Sequence, residues 1–170
     1  MARILIVPGL GGSGPAHWQS WLHAELPGSL RVEQQDSNST DLPVWTDTLC
    51  AAIDTAAEPV WLVAHSFGCL ATLCALTRRP SRVAGALLVA PADPEKFGLA
   101  HLLPEMIPAL PVKAVVSSND PWMPLAKAEL LLNQLGIDTL NLGEAGHINA
   151  ESGFGPWPQG LALLHQLQGI

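Results

Sequence analysis

Apolar positions in this chain follow two alternating rhythms. Short, largely apolar runs bounded by Pro, Gly or polar positions occur at 3–7, 60–64, 83–90 and 112–117, and a further strand is read at 137–142. Such runs read as strands buried on both faces. Residues 30–34 instead alternate apolar and polar side chains, as an exposed edge strand does. Between them lie segments with helical spacing. The first runs over 16–26, opened by Pro15 in its first turn, with Trp18, Leu22 and Leu26 on one face. Others cover 41–57, begun by Asp41 and Pro43; 67–79, halted by Pro80; 124–135, closed by Gly136; and 157–167. Strand and helix alternate about six times, which predicts an α/β fold: a mostly parallel sheet of about six strands between two helical layers, joined by right-handed crossovers.

Residues 91–111 break the rhythm. The stretch is apolar but carries Pro94, Pro104, Pro108 and Pro111, so it is not one helix. It reads either as a loop packed on the core or as a small cap lending Phe97, Leu99, Leu102 and Met106 to a pocket.

Length and composition narrow the class. At 170 residues the chain is expected to form one domain, 1–170, able to bury roughly 70% of its unfolded surface without disulfide or metal. Apolar residues make up 48% and charged ones 14%, which argues against disorder. A net charge of −7 opposes nucleic acid and anionic membrane surfaces as partners. Cys50, Cys69 and Cys74 lack the spacing of a zinc site and read as small buried hydrophobes, so no metal is expected. The apolar run before Pro8-Gly9 is too short for a signal core or a membrane span, and the expected location is cytoplasmic.

Chemistry concentrates at strand ends. The run from Val60 ends in His65-Ser66-Phe67-Gly68 and passes directly into a helix. A sharp strand-to-helix turn forces its central residue into a left-handed state and wants small neighbours, here Ala64 and Gly68. Ser66 at that turn is a candidate nucleophile, although an ordinary turn also accommodates a serine. Gly9-Leu10-Gly11-Gly12-Ser13-Gly14, after the first strand, lacks the Gly-Lys-Ser/Thr ending of a phosphate cradle and the acid of a dinucleotide fingerprint. It suits instead a loop whose backbone approaches substrate, with the N–H groups of Leu10 and Phe67 as an oxyanion hole.

A nucleophilic serine needs a base, and the base an orienting acid. Asp120 follows the fifth strand, and His147 the sixth. The order Ser66, Asp120, His147 places three groups at three strand ends. Asp93 is the runner-up acid; Asp138 lies at or inside a strand, and Glu144 is near His147 only along the chain. His65 is expected on the opposite side of the turn, in a packing or hydrogen-bonding role. His23, His101 and His165 read as surface or satisfied histidines, while His17, Trp18 and Trp122 fall near site loops and are candidate pocket residues.

Over nearly its whole length the sequence resembles the small serine hydrolases of the retinoblastoma-binding protein nine, or YdeN-like, type. The resemblance rests on the glycine loop with His17-Trp18, on Ala64-His65-Ser66-Phe67-Gly68, and on Ser118-Asn119-Asp120-Pro121. It rests also on Gly146-His147-Ile148-Asn149 and on Ser152-Gly153-Phe154-Gly155-Pro156-Trp157-Pro158, the most specific run. It implies a reduced α/β-hydrolase fold, a Ser66-Asp120-His147 triad and no cofactor, and a chain this short leaves no room for a large lid domain. Ala64 replaces the glycine of the general hydrolase elbow, and no Leu-x-Cys-x-Glu motif is present, so the retinoblastoma association does not carry over. The expected activity is cleavage of an ester, thioester or amide in a small or acylated substrate, at an open, shallow site. Acyl transfer through the same residues is one alternative. A non-catalytic interaction module docking through 91–111 is another.

Overall fold

A computed structural model describes residues 2–170. Six strands form one sheet: β1 (Ile4–Val7), β2 (Leu30–Arg31), β3 (Val60–His65), β4 (Val83–Val89), β5 (Val112–Val116) and β6 (Asp138–Asn141). The spatial order is β2-β1-β3-β4-β5-β6, and all five neighbouring pairs are parallel. The five helices are α1 (Trp18–Glu25), α2 (Leu42–Asp54), α3 (Phe67–Arg78), α4 (Leu125–Gln134) and α5 (Pro158–Gln168). None is long and apolar enough to cross a membrane.

The pleat divides the core in two. Leu5, Val7, Leu62, Ala64 and Leu88 face α2, α3 and α4, while Ile6, Val63, Leu87 and Val89 face α1 and α5. Both faces are apolar because both are covered, so the central strands read as unbroken runs rather than alternations. The expected three-layer arrangement is thus the observed one. The chain winds outward in both directions from β1 and β3, and loops leaving their carboxyl ends diverge into a crevice. The glycine loop and Ser66 lie at that switch point.

Several element boundaries differ from the pattern. Strand β2 covers two residues rather than 30–34, with one further bond from the Val32 N–H to the Ile6 carbonyl (2.8 Å). Helix α1 starts at Trp18, because His17 caps it in extended conformation (φ −82°, ψ 145°), leaving Pro15 and Ala16 in a turn. Segment 91–111 is a loop with two short 3-10 turns, Pro94–Phe97 and Ala100–Leu102. It contributes one wall through Phe97, but Leu99, Leu102 and Met106 do not line the main cavity, and Met106 is 76% exposed. Phe97, Leu99, Leu103, Ile107 and Leu110 are instead half-buried against the core, so the segment is chiefly a loop packed on it.

Candidate active site

Ser66 has φ 54° and ψ −121°, a backbone state rare for any residue with a Cβ. Its surroundings fix it there. The Ser66 N–H donates to the Val89 carbonyl (3.0 Å), and the Ser66 carbonyl accepts from Cys69 (3.0 Å) and Ala92 (3.2 Å). Close packing does the rest. A Cβ on Gly68 would sit 2.5 Å from the Pro8 carbonyl oxygen, and one on Gly9 would sit 2.9 Å from the Ser66 Cβ. Those two glycines let the start of α3 and the loop after β1 touch the serine turn. The Phe67 ring is fully buried between Trp45 (centroids 4.8 Å apart) and Phe97 (5.4 Å), which pins the 91–111 loop onto this turn.

Asp120 and His147 come from the loops after β5 and β6. These loops are knitted together: Ser118 N–H donates to the Gly143 carbonyl (2.8 Å), Gly146 N–H to Asn119 Oδ1 (2.7 Å), and Ala145 N–H to Ser117 Oγ (3.0 Å). Gly146 has φ +59°, and a Cβ there would lie 2.7 Å from that of Ser152, so its absence lets the loop carrying His147 close. His147 Nε2 lies 2.9 Å from Ser66 Oγ, and its Nδ1 lies 3.0 and 2.9 Å from the two Asp120 carboxylate oxygens. Asp120 Oδ1 also accepts the Trp122 N–H (2.9 Å), and its side chain is only 3% exposed. An imidazole bridging a hydroxyl and a buried carboxylate can take the hydroxyl proton while the carboxylate stabilises the resulting cation.

The other acids are engaged elsewhere. Asp93 is buried, caps the first 3-10 turn through the Glu95 N–H (3.0 Å) and pairs with Lys127 (3.1 Å). Asp138 pairs with Lys113 (2.6 Å) across the edge of the sheet, and Glu144 is exposed.

The site opens into a cavity of about 630 Å³ whose walls include Leu10, His17, Phe97 and Trp122. The glycine loop, the first 3-10 turn and the loop after β6 all contribute to these walls. Trp122 is 60% exposed at the rim. Trp18 is not a wall: it is 1% exposed, packs on Trp157 (5.1 Å) and donates its indole N–H to the Ile148 carbonyl (2.8 Å). A large ring on the inner face of an amphipathic helix goes to the core. His65 also departs from expectation. Its ring is not on the far side of the turn: it continues the Val63 face of β3 towards Trp18 and lies 4.9 Å from the His147 ring, while its expected hydrogen-bonding role is met by the His147 carbonyl. His23 bonds Ser29 Oγ (2.7 Å), while His101 is exposed and His165 half-buried.

His17 stands beside these groups, its ring 4.7 Å from that of His65. Its Nδ1 accepts the Gln19 N–H (3.1 Å), so the neutral ring carries its proton on Nε2, which has no partner among the described residues. Burial, then the charge of Arg31 and the nearby His147, lower its pKa to about 4. Burial also holds His65 well below the ordinary histidine range, helped by His17 and His147. His17 and His65 are therefore neutral at pH 7.

Sequence reading missed Gln19. It is fully buried, its amide N–H group donates to the Val7 and Val63 carbonyls (both 3.1 Å), and it accepts from the Ser13 hydroxyl. The signal was a polar residue sharing the inner face of α1 with Leu22 and Leu26.

A family model described as serine hydrolase matches residues 4–166. The YdeN protein of Bacillus subtilis (strain 168) is 26% identical over 187 residues, an alignment covering 92% of this chain and 90% of that protein. A yden-like protein of Pectobacterium atrosepticum has a solved structure with TM-score 0.95 and 34% identity, covering 100% of this chain and 92% of the other. The ydeN gene product of B. subtilis superposes with TM-score 0.85 at 22% identity over the whole of both chains, a likeness of fold. The chain belongs to the serine hydrolase family, among the small YdeN-like members of the α/β-hydrolase superfamily.

Proposed function

We propose that the protein cleaves an ester, thioester or amide bond through an acyl-enzyme on Ser66. His147 takes the Ser66 proton as the oxygen attacks the acyl carbon, and Asp120 keeps the imidazole in the tautomer with its proton on Nδ1. The Phe67 and Leu10 N–H groups receive the oxyanion. Phe67 is the first residue of α3, Leu10 follows the glycine that touches Ser66, and neither N–H has an acceptor among the described residues. The imidazolium then protonates the leaving group, and water repeats the sequence to free the acid. The observation that carries this reading is the single imidazole spanning Ser66 Oγ and both Asp120 oxygens at 2.9–3.0 Å.

The cavity supports small to medium acyl groups, since about 630 Å³ lies within the ordinary small-ligand range. Its lining combines polar groups, including Ser66, His147 and Asn149, with the apolar side chains of Leu10, Phe97 and Trp122. Turnover of p-nitrophenyl esters from acetate to octanoate, compared with the matching thioesters, tests the proposal. Measurable kcat in wild type with a loss on the order of a million-fold in Ser66→Ala is expected. No turnover of any member of the series would count against it.

A further inference from the structure

Two ring N–H groups from different elements grip consecutive carbonyls of the loop that carries His147. His65, the last residue of β3, has its Nε2 2.9 Å from the His147 main-chain oxygen. A carbonyl only accepts, so Nε2 carries the hydrogen. Trp18, the first residue of α1, donates its indole N–H to the next carbonyl, that of Ile148 (2.8 Å). The two rings lie 6.0 Å apart, edge to face, and both are buried.

What they hold is under constraint. Ile148 has φ 48°, a left-handed state that a β-branched residue rarely occupies, and it is fully buried. Gly146, at φ +59°, precedes it by two positions. His147 thus projects from between two left-handed residues. Such conformations persist only where the surroundings over-determine them. The Trp18 grip is itself anchored, since the Trp18 N–H donates to the Phe154 carbonyl (2.9 Å) and Trp157 packs on the Trp18 ring.

We infer that His65 and Trp18 form a two-point clamp that positions His147 for proton transfer by holding the His147 and Ile148 carbonyls. The inference rests on the reading of His147 as the base. His65 touches neither the hydroxyl nor the substrate carbon in this account: it is a positioning residue that acts through the main chain.

His65→Leu fills a similar volume but cannot donate, His65→Gln retains a donor, and Trp18→Phe keeps a ring without its N–H. His65→Leu is expected to lower kcat on the order of 100-fold with KM within about twofold, the signature of a misplaced catalytic group. His65→Gln should recover about tenfold of that loss. Trp18→Phe should fall in the same direction as His65→Leu, and carries the test should that variant not fold. The far-downfield proton resonance of the His147 Nδ1–H, bonded to Asp120, reads the same geometry without turnover. It should be sharp in wild type and lost in the leucine variant. If wild type turns over no ester yet the resonance disappears in His65→Leu, the clamp stands and the hydrolytic reading fails. If His65→Leu and Trp18→Phe keep both the resonance and kcat within about threefold, or raise KM alone, the clamp is overturned.

Discussion

A serine at φ 54° needs neighbours that forbid relaxation, and here they are glycines that bring backbone within van der Waals contact. That part of the site is legible from sequence, because His-Ser-x-Gly after an apolar run has a steric reason. Ser66, Asp120 and His147 are legible for the same kind of reason: each follows a strand, and strand ends share one edge. The acid choice can be tested directly. Asp120→Asn should lower kcat about 10³–10⁴-fold with little change in thermal stability, since it removes the charge behind the imidazole and favours the wrong tautomer. Asp93→Asn should do the converse, lowering the melting temperature through loss of its Lys127 partner while leaving kcat within about threefold. Steady-state kinetics and thermal melts on both variants check this pair. What His65 and Trp18 bond to was not legible, because the His147 and Ile148 carbonyls they meet lie more than 80 residues further along the chain.

At the scale of elements, the elbow, the glycine loop and helix α1 act as one braced unit. Gln19 ties β1 and β3 through two carbonyls and reaches Ser13 in the loop, while the Arg31 guanidinium donates to the Ser13 carbonyl (2.8 Å) and to Ser20 Oγ (2.7 Å). Gln19→Leu strands two buried carbonyls and should cost about 2–4 kcal/mol in denaturant unfolding. Gly68→Ala drives a methyl into the Pro8 and Val7 carbonyls, at 2.5 and 2.6 Å, and backbone there cannot step aside cheaply. It should destabilise by about 1–3 kcal/mol and reduce kcat more than distant core variants of equal stability do. Urea titrations alongside kinetics separate the two effects. The run from Ser152 to Pro158, the most specific part of the sequence, has a structural explanation. It seats Trp157 on Trp18 and on Gly160, where a Cβ would meet the indole at 2.2 Å, and so fastens the loop after β6 to α1. Strand and helix order was readable from periodicity, whereas the shortness of β2 and the late start of α1 follow from loop packing and a histidine cap.

For the molecule as a whole, the buried imidazoles couple fold to pH. His17 is neutral in the folded state down to about pH 4, whereas its unfolded pKa is near 6.5. The unfolded chain therefore binds the proton first on acidification, so stability is full above pH 6.5 and falls between about 6.5 and 4. A shift of that size corresponds to roughly 3 kcal/mol, and His65 adds in the same direction. Denaturant unfolding at pH 7, 5.5 and 4 should show this slope, and His17→Asn, which keeps a capping side chain, should flatten it. The volume of the cavity was not readable from length alone, because its walls come from separate loops, those after β1, β4, β5 and β6. The central claim is that Ser66 is an activated nucleophile. Incubation with a fluorophosphonate, followed by proteolysis and mass spectrometry, tests it most directly. A single adduct on the peptide carrying Ser66, absent from Ser66→Ala and slowed in Asp120→Asn, is the predicted result; no adduct, or one that persists in Ser66→Ala, would contradict it.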